Sequence, residues 1–228
     1  MPLDGLFLDM YGTLTGGDRA AVEGTCAAVI RDTGLALAPG DLAVTWGERF
    51  FSDLEQAHGE RFLTLRALEE QSLVRTLAAL GRAVDPRGYV QRLVDYWCAP
   101  PLQREVPEFL AACPVPICIV SNADTADLAA AIAHLGLRVA AAVTSEEARS
   151  YKPLPAIFEL ALARTGWRRD RVLHVGDSLH SDIGGARAAG LRCAWVNRAH
   201  RIHDIGTDDP DHEVGDLLEL LPLLARDG

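Results

Sequence analysis

The chain has 228 residues, of which 49% are hydrophobic and 24% charged, a globular composition that supports one sizeable core with room for an inserted lobe and excludes extensive disorder. Its net charge of −10 gives a surface that repels phosphate backbones, which excludes nucleic acid as a partner and requires any phosphorylated ligand to be held by a local pocket.

In chain order, the first predicted element is the short apolar strand LFLD at 6–9, which ends on Asp9 and runs into the turn residues Gly12 and Thr13. Residues 16–99 then carry no convincing strand. Apolar residues fall instead on helical faces: Val22, Thr25, Cys26 and Val29; Leu42, Trp46, Phe50 and Leu54; Leu65, Leu68, Leu73, Thr76, Leu77 and Leu80; and Val90, Leu93, Val94 and Trp97. This stretch reads as an all-helical insert hinged at Gly16–Gly17 and Ala99–Pro101. Strand VPICIV at 115–120 follows, ending in Ser121 and Asn122, then a helix over 126–136. Lys152 in SYKP precedes a helix over 154–166. Strand RVLHVGD at 171–177 delivers Asp177, the helical stretch 181–190 carries Asp182, and RCAWVN at 192–197 is a further strand. Alternation of this kind predicts an α/β fold, a doubly wound parallel sheet whose chemistry sits beyond the carboxyl ends of the strands, where Asp9 falls. The expected organisation is a Rossmann-like catalytic core from 1–15 and 100–228 with a helical cap domain at 16–99.

An acid after one strand is more often a helix cap than a catalyst, but here Asp9, Ser121, Lys152, Asp177 and Asp182 occur together and in order. In that set the chain resembles the haloacid dehalogenase superfamily, most of whose members are phosphatases. Asp9 matches the family's nucleophile, Ser121 its second motif, Lys152 its third, and Asp177 with Asp182 its fourth. The insert is similar to the family's cap, and IGTDDPDHEVGDLLELL resembles its closing strand and helix. The resemblance implies a Mg²⁺-dependent phosphatase acting on a small phosphorylated metabolite through an aspartyl-phosphate. Asp9, the main-chain carbonyl of Tyr11 and Asp177 would hold Mg²⁺, with Asp182 completing or orienting the site. Ser121, the Asn122 N–H and Lys152 would cradle the phosphoryl oxygens, with Thr13 ordering the turn and touching phosphate. Arg61 and Phe62, with His58 beside them, would read the leaving group from the cap.

Tyr11 departs from the pattern, because phosphatases of the family place a second aspartate there to protonate the leaving group. DxYGT resembles instead the L-2-haloacid dehalogenases, which displace halide without a metal and lack the acidic residue present here as Asp177. Three converging carboxylates would repel one another without a cation, which weights the reading toward the metal site. Haloacid dehalogenation is the alternative, and a catalytically degenerate binding protein a further one. The cysteines Cys26, Cys98, Cys113, Cys118 and Cys193 show no metal-ligand spacing and read as reduced thiols. His174, inside a strand, reads as a core residue. With no secretory or membrane-spanning pattern, the expectation is a cytoplasmic protein, monomer or homodimer, with no membrane partner.

Overall fold

The computed structural model describes residues 2–202 and 206–226. Among them, six strands form one all-parallel sheet in the order β3-β2-β1-β4-β5-β6, with β1 Gly5–Leu8, β2 Ile117–Ser121, β3 Ala141–Thr144, β4 Val172–Gly176, β5 Arg192–Val196 and β6 His212–Val214. Strand β1 lies inside the sheet between β2 and β4 and is buried along its whole length. Its alternation serves both faces. Leu6 and Leu8 pack with Ile117, Ile119, Leu173 and Val175 on one side, while Phe7 packs with Cys118, Val120, Val172 and Trp195 on the other. Strand β3 is absent from the sequence expectation. It is only four residues long, alanine-rich, and defined by its pairing with β2. Strand β6 falls within the anticipated closing segment, whose first residue, Ile205, lies outside the described residues.

Residues 18–98 are helical, as expected, with α1 Asp18–Thr33, α2 Pro39–Leu54, α3 Leu65–Ala79 and α4 Arg87–Cys98. Leu42, Trp46, Leu73, Leu77, Val90 and Leu93 form a separate apolar cluster there, and it reaches the sheet domain through Tyr151. The remaining helices flank the sheet: α5 Val106–Ala112, α6 Thr125–Leu135, α7 Ser145–Ala148, α8 Ala156–Thr165, α9 Gly185–Ala188 and α10 Leu221–Arg226. The expected helix at 181–190 differs in form. Residues Leu179–Gly184 make a π-helical turn before α9. That wider turn brings Asp182 back toward the sheet, and such turns recur at functional sites. No helix among the described residues is long and apolar enough to cross a membrane, and all five cysteines are free.

Candidate active site

Asp9 directly follows β1, and its N–H donates to the Val175 carbonyl at 3.0 Å, which extends the ladder and fixes the residue at the carboxyl edge of the sheet. Asp177 follows β4 on the neighbouring strand, and Asp182 returns on the π-helical turn. Carboxylate oxygens of Asp9, Asp177 and Asp182 lie within 4.8 Å of one another. Two glycines make this approach possible. A Cβ on Gly12, where φ is 89°, would stand 2.6 Å from the Asp177 carboxylate, and one on Gly176 would stand 2.1 Å from Cγ of Asp182.

Lys152 sits at the centre of the acids, almost fully buried. Its Nζ donates to Asp9 Oδ1 at 2.7 Å, Asp182 Oδ1 at 2.6 Å and the Val120 carbonyl at 3.1 Å. An ammonium has three N–H donors, so all are committed. This corrects two expectations. The acid cluster is partly neutralised by a built-in cation, and Lys152 acts on carboxylates rather than presenting a free donor to phosphoryl oxygens. Burial still pushes Asp9 up to about 7, with Lys152 opposing and Asp182 and Asp177 adding to the rise. Burial, then the Asp182 charge, raises Asp177 to about 6. Asp182 goes the other way: burial disfavours its charge, but Lys152 and His174 outweigh it and hold the carboxyl well below the ordinary range. Lys152 stays charged, because its two carboxylates outweigh the cost of burial.

The remaining expected residues fall into place differently. Thr13 is buried and its hydroxyl donates to Asp177 Oδ1 at 3.3 Å. Ser121 ends β2, beside the site. The Asn122 side chain brackets the Lys152 backbone, accepting from its N–H at 2.8 Å and donating to its carbonyl at 3.2 Å. Arg61 and Phe62 are not brought to the acids. Phe62 stacks on Tyr151 with centroids 5.2 Å apart, and Arg61 lies in a separate depression with Asp53, Gln71 and Arg75. The likeness of a loop position to a cap junction gives no side-chain direction, and neither side chain contacts the acids here. The residues that line a small recess around Lys152 are instead Leu54, Glu55, Tyr151, Leu154 and His180.

Tyr11 is committed to structure. Its hydroxyl donates to the Trp97 carbonyl at 2.9 Å, and burial, followed by the nearby Asp127 charge, raises it far above the ordinary phenol range. Two further links join helical insert and sheet beside the site. Tyr151 Oη donates to the Leu63 carbonyl at 2.8 Å, and Asp124 accepts the N–H groups of Leu65 at 2.6 Å and Arg66 at 3.1 Å, capping α3 from outside it.

Two contributors escaped the sequence reading. His174 is a core residue, but its Nε2 lies 3.0 Å from Asp182 Oδ1, and burial lowers its affinity for a proton, so a neutral ring donates to the carboxylate. Arg198 donates to the carbonyls of Gly12 at 2.9 Å and Thr13 at 2.8 Å while paired with Glu105. No motif signals it, because its partners are 185 and 186 residues away in sequence.

A parallel α/β sheet bearing an ionisable aspartate at its carboxyl edge, clamped by a lysine and flanked by two further acids, is an arrangement suited to hydrolytic chemistry at a carboxylate. The chain belongs to the haloacid dehalogenase-like hydrolases, whose family profile matches residues 3–190. It is 26% identical over 226 residues to (S)-2-haloacid dehalogenase 2 of a Pseudomonas species, covering 96% of this chain and 95% of that protein. A shorter stretch of 85 residues is 44% identical to the pyrimidine 5'-nucleotidase YjjG of Escherichia coli, covering 37% of each chain. In fold, the L-2-haloacid dehalogenase of Xanthobacter autotrophicus superposes with a TM-score of 0.80 at 21% identity over 98% of both chains.

Proposed function

We propose that the protein hydrolyses 2-haloacids through a covalent ester on Asp9. The observation that carries this reading is the bond from Tyr11 to the Trp97 carbonyl. A phenol so committed cannot protonate a departing alkoxide, whereas halide leaves as a stable anion and needs no proton. Likeness along the whole chain to a haloacid dehalogenase, against only partial likeness to a nucleotidase, supports the same reading over the Mg²⁺-dependent phosphatase anticipated from sequence.

In this mechanism a carboxylate oxygen of Asp9 attacks C2 of the substrate, the carbon–halogen bond breaks and halide departs with the electron pair. Lys152 opposes the burial that would otherwise hold Asp9 protonated, so that a share of it is ionised near neutrality. Water then adds to the ester carbonyl as Asp177 accepts its proton. The intermediate collapses with cleavage of the bond to the substrate oxygen, and Asp177 returns the proton to that departing alkoxide. The 2-hydroxyacid leaves as Asp9 releases a proton to solvent and is restored to its carboxylate. Asp177 fits that part because it stands beside Asp9 and, unlike Asp182, is not engaged by Lys152.

Asp177 also favours a second reading, phosphoester hydrolysis with a divalent cation. The donor set fits a hard ion. Asp182 is spent on Lys152, His174 and the Ser178 N–H, but Asp9 and Asp177 remain, with the Tyr11 main-chain carbonyl completing the expected set. When bound, Mg²⁺ would neutralise charge on nucleophile and phosphate. The deciding experiment incubates purified protein with (S)-2-chloropropionate in excess EDTA, and separately with a panel of phosphate esters and Mg²⁺. Chloride release that disappears in Asp9→Asn supports dehalogenation. Background chloride with robust phosphate release transfers the protein to the second reading, and neither product across the panel leaves a binding role.

A further inference from the structure

Helices α1 and α2 pack on each other but leave a half-open pocket along their contact. Its volume is about 650 Å³, within the range of small-molecule sites, and it shares no lining residue with the Lys152 recess. Small residues on α2, Gly40, Ala43 and Gly47, leave one wall bare, and a Cβ on Gly47 would meet nothing within 4 Å. Aromatic rings form another wall. Trp46 is held in place by its Nε1 donating to Ser72 Oγ at 2.8 Å, while Phe50 and Phe51 meet edge to face at 5.3 Å. The polar groups are nearly all acids: Asp18, Glu23, Glu48 and Glu69, against the lone cation Arg19, which is already paired with Glu23 at 2.7 Å.

Glu69 is the telling member. Among the described residues no cation or hydrogen-bond donor reaches its carboxylate, and burial alone pushes it up to about 8. A partly buried acid without a partner, beside Trp46 and Phe50 in a half-open and largely apolar pocket, matches one ligand chemistry. A cation with an apolar body gains the carboxylate's charge, the rings' negative faces and the hydrophobic wall together.

We propose that this cavity binds a small organic ammonium ion. The pocket shares no lining residue with the Lys152 recess, and the proposal does not depend on which reaction occurs at Asp9.

Choline and its neutral isostere 3,3-dimethylbutan-1-ol are the probes, titrated calorimetrically and by tryptophan fluorescence into the full chain. Choline binds saturably and more tightly than the alcohol. Glu69→Gln, which keeps shape and volume, weakens choline by about tenfold while leaving the alcohol unchanged. Gly47→Leu, which fills the cavity and raises helix propensity, abolishes both, and its thermal transition reports that the fold is retained. Three results overturn the proposal: no saturable choline binding at millimolar concentration, equal affinity for the alcohol, or choline binding that survives Gly47→Leu, which would place the cation at the Asp9–Asp177 acids instead.

Discussion

One ammonium serves two acids of opposite tendency: Lys152 Nζ stands 2.7 Å from Asp9 and 2.6 Å from Asp182, yet Asp9 is raised and Asp182 lowered. The difference lies in the neighbours. His174 gives Asp182 a further donor, whereas Asp9 stands beside the like charge of Asp177, so Asp182 is the firmer anchor for the lysine. Removing the lysine leaves both carboxylates buried without a cation, with only the His174 and Ser178 donors left to Asp182. Lys152→Met is therefore expected to lose turnover and about 3–5 kcal/mol of stability in urea unfolding at neutral pH. A stability within experimental error of wild type would show that the buried pair is not charged.

Asp177→Asn separates the two reactions proposed for Asp9. In halide displacement the first step survives and water attack slows, so one equivalent of chloride appears per site and an ester on Asp9 accumulates, visible by intact-protein mass spectrometry. With a required metal ion, the same substitution yields neither product nor adduct.

Much of this centre was legible because a parallel sheet collects the carboxyl ends of its strands on one edge. Asp9, Ser121 and Asp177 each end or follow a strand, and their convergence follows from topology once the strands are recognised. The lysine's engagement was not legible, since nothing in SYKP tells whether its ammonium points at substrate or at acids. His174 was hidden by its setting, because a histidine between apolar strand neighbours looks like core and is core, and only the return of Asp182 gives it a second task. Strand β3 was missed because only four residues, two of them alanines, carry too short a pattern to read, and its existence comes from pairing along the edge of β2.

For Tyr11 the expected behaviour is that of a brace. Tyr11→Phe removes one hydrogen bond, costs about 0.5–1.5 kcal/mol in unfolding, and changes kcat for chloride release less than threefold by the reasoning that the phenol takes no part in proton transfer. A fall of 100-fold at unchanged stability would assign the hydroxyl to catalysis.

Glu69 predicts a pH signature in stability. Its folded value near 8 lies above that of an unfolded glutamate, so the folded state binds the proton more tightly. Its contribution is full below about pH 4.3 and is lost as pH rises through about 8. Relative to wild type, Glu69→Gln should therefore gain stability progressively across that window and level off above it, by about 2 kcal/mol once partial solvent access is allowed for. The cavity's other charged groups, Asp18, Glu23, Glu48 and Arg19, are unchanged in both proteins, so paired urea titrations isolate the term. A pH-independent difference would show that Glu69 is hydrated.

The links between insert and sheet share a placement: Tyr11 stands two residues after Asp9, Asp124 three after Ser121, and Tyr151 one before Lys152. The segments that carry Asp9, Ser121 and Lys152 are thus also segments the insert grips. Swinging the insert away would pull on all three at once, misaligning nucleophile and lysine in the same movement that admits water. The position of the insert and the alignment of Asp9 with Lys152 are thereby coupled through the same three anchors, so one cannot change without the other.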